Sequence, residues 1–253
     1  MALLEAFARP LELENPAVAH ADFLNERYAH SKTRELLDDI IHREFAGNIA
    51  LVSSFGADSV VLLHLAASVE PAVPVVFIDT GKIFGSTHRY RDEVVSLLGL
   101  KNVRMARPDP ALLATHDTDS GLWLREPDKC CAIRKVSPLS RALSGFDAWI
   151  SGRKRYQGGR RAELPLIEAD GDRIKINPLA EWTKEDLVAY RERHDLPEHP
   201  LVADGFRSIG CMPCTTRVAE GEDERDGRWR GTEKIECGIH LGLPPLETEG
   251  SGI

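Results

Sequence analysis

From Asn48 the chain reads as apolar run, turn, helix and apolar run again, and that order leaves few folds open. Ile49-Ala-Leu-Val-Ser53 fits a buried strand, Asp58 to Val69 a helix and Val73 to Ile78 a second strand. Strands joined through a helix pair in parallel, because antiparallel neighbours need only a short turn. A helix from His88 to Leu98, with Tyr90, Val94 and Leu98 on one face, leads to a third strand near Asn102 to Ala106, and Phe146 to Ser151 reads as a fourth. An α/β fold with a mainly parallel sheet and right-handed crossovers is therefore expected. Arg173 to Asn177 fits an added edge strand, and Thr183 to His194 a helix capped by Thr183 and stopped before Pro197. Upstream, Thr33 to Phe45 sets Leu36, Leu37, Ile40, Ile41 and Phe45 on one helical stripe. We expect an N-terminal helical region at 1–46, an α/β domain at 47–204 and a loop-rich C-terminal segment at 205–253, mobile unless it docks.

A chain of 253 residues, 42% apolar, can fill one large α/β core. Met1 to Pro16 carries Glu5, Glu12 and Glu14 and no long apolar stretch, so neither a signal peptide nor a membrane span is expected and a cytoplasmic location is. A net charge of -8 argues against general nucleic-acid binding. Against that acidic background Ser151 to Arg161 holds five cations and no acid, which suits either a small anionic ligand or a solvated loop.

Ser53-Ser-Phe-Gly-Ala-Asp-Ser59 falls where the first strand hands over to its helix. Ser54 and Ser59 offer hydrogen bonds, Gly56 permits close approach, and backbone amides at the helix start favour an anion; the local alternative is a Gly/Ser turn with Asp58 as helix cap. Asp79-Thr80-Gly81 ends the next strand at the same edge, where open α/β sheets bind ligands, so a nucleotide site is plausible and 47–204 reads as a nucleotide-binding domain.

Five cysteines divide as Cys130-Cys131, Cys211-Met-Pro-Cys214 and a solitary Cys237. In a reducing compartment disulfides are disfavoured, and two close pairs suit an iron-sulfur cluster or a structural zinc. Neighbours on a regular helix diverge by about 100°, so Cys130 and Cys131 belong at a helix start or bend, with Lys129, Arg134 and Lys135 around them. Cys237 is either an idle tail cysteine or a nucleophile. His240, Gly238 and nearby cations favour the nucleophile, since an imidazolium or fixed cations lower a thiol pKa, whereas Glu236 would oppose it if it pointed inward. The stretch Glu224 to Arg230 mixes acids with arginines and reads locally as a solvated loop.

Together these motifs resemble the adenylyl-sulfate/phosphoadenylyl-sulfate reductase family, built on the PP-loop adenine-nucleotide fold. The resemblance runs from Ile49 to Leu241. Ser54-Phe-Gly-Ala-Asp-Ser59 is similar to the PP-loop, Asp79-Thr-Gly81 to the second nucleotide turn, Gly152-Arg-Lys-Arg-Tyr-Gln157 to the basic sulfonucleotide loop and Glu236-Cys-Gly-Ile-His240 to the catalytic signature. Departures are Gly85-Ser86-Thr87 where the family usually has Pro-Glu-Thr, Lys154 where Arg is common and Gly158 where Ser is common. The resemblance implies a [4Fe-4S] cluster on Cys130, Cys131, Cys211 and Cys214, and the branch that carries it is associated with adenosine 5′-phosphosulfate. It also implies substrate contacts from Lys135, Lys154, Arg155, Arg225 and Arg228, with Cys237 and His240 as catalytic residues. Cys237 would form an S-sulfonate that a thioredoxin- or glutaredoxin-like dithiol discharges as sulfite. A homo-oligomer is expected, with no nucleic-acid or membrane partner. The competing readings are a reductase for the 3′-phosphorylated substrate, a PP-loop ATP-dependent sulfurtransferase or ligase, and a non-catalytic metal-stabilised nucleotide-binding module.

Overall fold

A computed structural model describes residues 15–241 and 244–246; the first fourteen residues of the expected helical region, and 242–243 and 247–253 of the C-terminal segment, lie outside the described residues. In chain order the elements are α1 (Pro16–Tyr28), α2 (Thr33–Asp39), β1 (Ile49–Ser53), α3 (Ser59–Val69), β2 (Val75–Ile78), α4 (Gly85–Leu98), β3 (Val103–Ala106), α5 (Pro110–His116), α6 (Leu122–Arg125), α7 (Pro127–Cys131), α8 (Ser137–Ala142), β4 (Ala148–Ile150), β5 (Ile167–Asp170), β6 (Arg173–Ile176) and α9 (Lys184–Arg193).

The six strands form one sheet in the order β3-β2-β1-β4-β6-β5, parallel throughout except where β5 runs antiparallel to β6. The expected mixed α/β fold with a mainly parallel sheet is therefore the fold observed. One strand differs from its expected place. Arg173–Ile176 is interior, flanked by β4 and β5, and the edge belongs to Ile167–Asp170, which the acids Glu168 and Asp170 disguise as loop. The hairpin between them turns at Gly171, whose φ of 64° is costly for other residues.

From β1 the chain winds outward through β2 to β3, then crosses back to β4 on the opposite side of β1. The strand order thus reverses between β1 and β4, and a crevice opens beyond their carboxyl ends. One face of the sheet is sealed by α3, whose Val60, Val61, Leu62, Leu63, Leu65 and Ala66 are buried, and by α2 with its continuing π-turn, Ile40–Glu44. All five residues of the expected stripe, Leu36, Leu37, Ile40, Ile41 and Phe45, enter that core. α1 joins the same core and is tied to β5, where the Asn25 amide donates to the Ile167 carbonyl at 2.7 Å and accepts from its N–H at 3.0 Å. On the other face Ala50, Val76 and Trp149 pack under Leu139, Leu143 and Phe146. Among the described residues no helix is long and apolar enough to cross a membrane.

Candidate active site

The crevice is a cavity of about 220 Å³, lined by Ser54, Gly56, Asp58, Ser59, Thr80, Lys135 and Lys154 from the sheet edge and by Arg225, Arg228, Cys237 and His240 from the C-terminal segment. The described part of the C-terminal segment, expected to be mobile unless it docked, is docked over the sheet. At Gly56 it comes so close that a Cβ would meet the Ile209 carbonyl oxygen and the Ser54 Oγ, each at 3.2 Å. Gly210 similarly leaves room for the Arg228 guanidinium, which a Cβ would overlap.

The turn after β1 is locally self-supporting. Phe55 N–H donates to Ser53 Oγ at 3.1 Å and Gly56 N–H to Ser59 Oγ at 2.9 Å. Asp58 does not cap α3; its carboxylate accepts from Lys154 Nζ at 3.1 Å, the Tyr156 hydroxyl at 3.1 Å and Lys184 Nζ at 3.3 Å. Burial opposes its charge, but Lys154 and Lys184 outweigh that and bring its pKa to about 2. Lys154 is thus balanced by a carboxylate rather than left as a free cation. Lys184 also pairs with Glu224 at 2.7 Å, linking the first turn to the C-terminal segment.

Of Asp79, Thr80 and Gly81, in the turn after β2, only Thr80 lines the cavity, its Oγ1 lying 3.2 Å from Cys211 Sγ. Asp79 and Gly81 build the turn instead: the Gly81 N–H donates to Asp79 at 3.1 Å, and Arg107 holds the other carboxylate oxygen at 3.2 Å. In the departing Gly85-Ser86-Thr87 stretch, Thr87 lines the cavity and bonds His199 at 2.9 Å.

The basic loop divides in two. Arg155 turns away, donating to the Leu164 carbonyl at 2.7 Å and to Glu181 at 2.9 Å beside a separate groove. Arg153 and Arg161 face the cavity in its place. Arg161 meets Glu236 through two hydrogen bonds, at 2.6 and 2.8 Å, and Arg225 reaches the same carboxylate at 3.3 Å. Glu236 does point inward, and burial works against its charge. Arg161 and Arg225 prevail and hold its pKa at about 2, so its negative charge is spent on them. It also accepts the Cys237 N–H at 2.8 Å and so orients the next residue.

Cys237 is 9% exposed. Hydrogen bonding from the Cys131 thiol lowers its pKa, burial opposes, and Lys135, the Ile239 N–H and Arg228 carry it well below the ordinary thiol range. The imidazolium allowed by the sequence is not formed. Burial and then Lys175, Arg153, Arg161 and Arg225 push the His240 pKa down, so the ring is neutral. It stacks on Trp149 with centroids 6.2 Å apart and planes 10° apart, and its buried Nδ1 has no hydrogen-bond partner.

Beside this cavity Cys130, Cys131, Cys211 and Cys214 line a second, small one of about 10 Å³, with Lys82, Arg134 and Lys135. The adjacent pair ends α7, where the helix widens into a π-turn over Ala132–Val136, the kind of bend their divergence requires. Arg134, 6% exposed, donates to Asp117 at 2.5 and 3.0 Å and to the Thr80 carbonyl at 2.8 Å, bracing this helix against the turn after β2. Burial pushes the Cys130 thiol up to about 11 and raises Cys214, so a metal-bearing group would have to draw off their protons. Four soft donors with cations alongside fit a thiolate-ligated group. Among the described residues no three His, Cys, Asp or Glu side chains form a single-ion site.

The phosphoadenosine phosphosulfate reductase domain matches residues 48–217. An adenosine 5′-phosphosulfate reductase of Chelativorans sp. (strain BNC1) is 48% identical over 245 residues, 96% of this chain and 98% of the relative. The chain belongs to the phosphoadenosine phosphosulfate reductase family. The enzyme of that first name from Mycobacterium tuberculosis (strain ATCC 25177 / H37Ra) is 40% identical over 201 residues, 79% of each chain. A crystal structure of phosphoadenylyl-sulfate reductase from Candida auris, a phosphate complex, superposes with a TM-score of 0.66 at 26% identity, covering 79% of this chain and 97% of that one.

For a member of this reductase family the residues that sequence reasoning passed over are Arg153, Arg161 and Glu236 as a linked set. A signal was present: Glu236 borders Cys237, and a buried carboxylate needs a cation, which the five-cation loop supplies. The pairing has a pH consequence. The folded pKa of Glu236 lies below its ordinary value, so the stabilisation is complete above about pH 4.5 and is lost as pH falls toward about 2. Glu236→Gln should therefore lower the denaturation midpoint at about pH 6, with the gap to wild type narrowing by about pH 3. A gap independent of pH would assign the effect to packing.

Proposed function

We propose that this chain reduces adenosine 5′-phosphosulfate to sulfite and AMP. The carrying observation is a buried Cys237 in the same cavity as Lys135, Arg225 and Arg228 and the turn that follows β1. The nucleotide would lie along the crevice with its phosphosulfate toward these cations. The Cys237 thiolate attacks the sulfuryl sulfur, forming an S–S bond as the S–O bond to phosphate breaks, and AMP departs with that electron pair. Lys135, Arg225 and Arg228 would offset the charge on the departing phosphate. Neutral His240, held against Trp149, can donate or accept one hydrogen bond to the same group.

The Cys237 S-sulfonate then passes to a thioredoxin- or glutaredoxin-like dithiol. One thiolate of that partner attacks Cys237 Sγ, sulfite leaves with the S–S electron pair, and the second thiol resolves the mixed disulfide, supplying two electrons in all. That exchange requires the docked segment to open, since Cys237 is buried. Cys130, Cys131, Cys211 and Cys214 are the residues that would hold a [4Fe-4S] cluster, which when bound would contribute fixed charge and rigidity beside Lys135. In a cytoplasmic, reducing setting all five cysteines stay out of disulfides. A ligase or a passive nucleotide-binding module would have no use for a charge-stabilised thiolate in the pocket, which weighs against both.

An anaerobic assay for sulfite and AMP with each sulfonucleotide tests the reading. Turnover should favour adenosine 5′-phosphosulfate, with AMP and sulfite released one to one. A higher kcat/KM for the 3′-phosphorylated compound would reassign the substrate, and pyrophosphate release from ATP would replace reduction by ligase chemistry.

A further inference from the structure

Trp229 has no role in the reaction as described, yet its placement is unusual. The residue is 5% exposed and lines the main cavity, and its indole Nε1 is one of three buried side-chain atoms among the described residues with no hydrogen-bond partner. Its backbone has φ of 49°, a left-handed conformation uncommon for a bulky side chain. That conformation is held from both directions: the Trp229 N–H donates to the Cys214 carbonyl at 3.1 Å, while its own carbonyl accepts from Thr232 N–H at 3.0 Å and Thr232 Oγ1 at 2.8 Å. Three cations surround the ring, Arg228 at 4.4 Å from its centroid, Lys234 at 5.7 Å and Arg225 at 5.9 Å. A buried N–H without a partner is costly, and an N–H set among cations is completed best by an anionic acceptor.

We propose that Trp229 is a substrate-binding residue whose indole N–H donates to an anionic oxygen of the phosphosulfate. The proposal rests on the function inferred above. Arg225 and Arg228 attract the anion through charge, and the indole adds a single directional donor on a backbone that Cys214 and Thr232 hold in place.

The test uses full-length Cys237→Ser protein, which cannot turn over, with and without Trp229→Phe. Phenylalanine keeps an aromatic face for the cations and removes the donor together with part of the indole's bulk. Titration with adenosine 5′-phosphosulfate should show binding weakened roughly ten- to a hundredfold by Trp229→Phe, as expected for a hydrogen bond to a charged group. Equal weakening with AMP places the acceptor oxygen on the phosphate, and weakening with the sulfonucleotide alone places it on the sulfuryl group. Unchanged binding of both overturns the proposal. So does loss of visible absorption with nucleotide affinity intact, since the indole would then serve the cysteine-lined centre. Failure of Cys237→Ser itself to bind either nucleotide removes the function reading, and this inference with it. Should Trp229→Phe not fold, the four indole N–H signals of ¹⁵N-labelled Cys237→Ser protein, assigned by Trp→Phe replacement of the other three, decide the matter. The Trp229 signal should move downfield on adding the sulfonucleotide, and a stationary one overturns the proposal.

Discussion

Replacing Cys237 by serine should cut sulfite production by on the order of a thousandfold or more while leaving nucleotide binding in place. Serine preserves the size of the side chain and its backbone bond to Glu236, so the docked segment should survive. What disappears is an anion that a hydrogen bond from Cys131, and after it Lys135, the Ile239 N–H and Arg228, stabilise against burial, because a hydroxyl in the same surroundings keeps its proton. Wild-type protein mixed with adenosine 5′-phosphosulfate and no reductant should release one equivalent of AMP and gain a sulfonate mass on the Cys237 peptide. A reduced dithiol protein should then discharge it. Sulfite formation by the serine variant, or an adduct on another cysteine, would end the mechanism even with the fold intact.

The second large effect should come from a residue remote from the substrate. Asp117→Asn removes the charge that balances buried Arg134, and breaking a buried pair at one end costs about 3–5 kcal/mol. Arg134 also holds the Thr80 carbonyl, and Thr80 touches Cys211, so the loss should loosen both the second nucleotide turn and the cysteine-lined cavity. Denaturant unfolding should show the destabilisation, and protein purified without oxygen should lose visible absorption relative to wild type. Asp119→Asn is the control. Asp119 meets Arg125 at 2.6 Å with both side chains exposed, and solvent should make its loss nearly neutral. Equal effects from the two variants would show that burial is not what gives the Asp117 pair its weight.

The strands were legible because a central parallel strand must be apolar on both faces: Ile49 to Ser53 and Val75 to Ile78 could hardly be anything else. The edge was not, since β5 carries two acids, Glu168 and Asp170, whose partners Asn177 and the Trp149 indole N–H are brought to them only by the fold. The short helices between Pro110 and Ala142 were missed for a related reason. None exceeds seven residues, too few for a 3.6-residue period to assert itself, and two π-turns interrupt the helical regions at the core. At the site, the cysteines and both nucleotide turns could be picked out as types of residue in a recognisable order. Side-chain direction could not. Of the consecutive Arg153, Lys154 and Arg155, the first two line the cavity while Arg155, which opens a 3₁₀ turn, lies beside the separate groove, and only a fixed backbone tells them apart. The balancing of Lys154 by Asp58 and of Arg161 by Glu236 spans 96 and 75 positions, beyond any local pattern.

Those long spans bear on how the protein is made. Synthesis proceeds from the N-terminus at ~5–20 residues per second, so the 184 positions from Ser53 to Cys237 imply a delay on the order of ten seconds or more before the thiol follows the turn after β1. All six strands precede it. A nascent chain can therefore gather its sheet while Cys237 is still absent, and Cys131 and Lys135, which lower its pKa, lie more than a hundred residues upstream of it. Until it docks, the sulfur has an ordinary thiol's reactivity, so the newborn polypeptide passes its most oxidation-prone interval with its sharpest reagent unarmed.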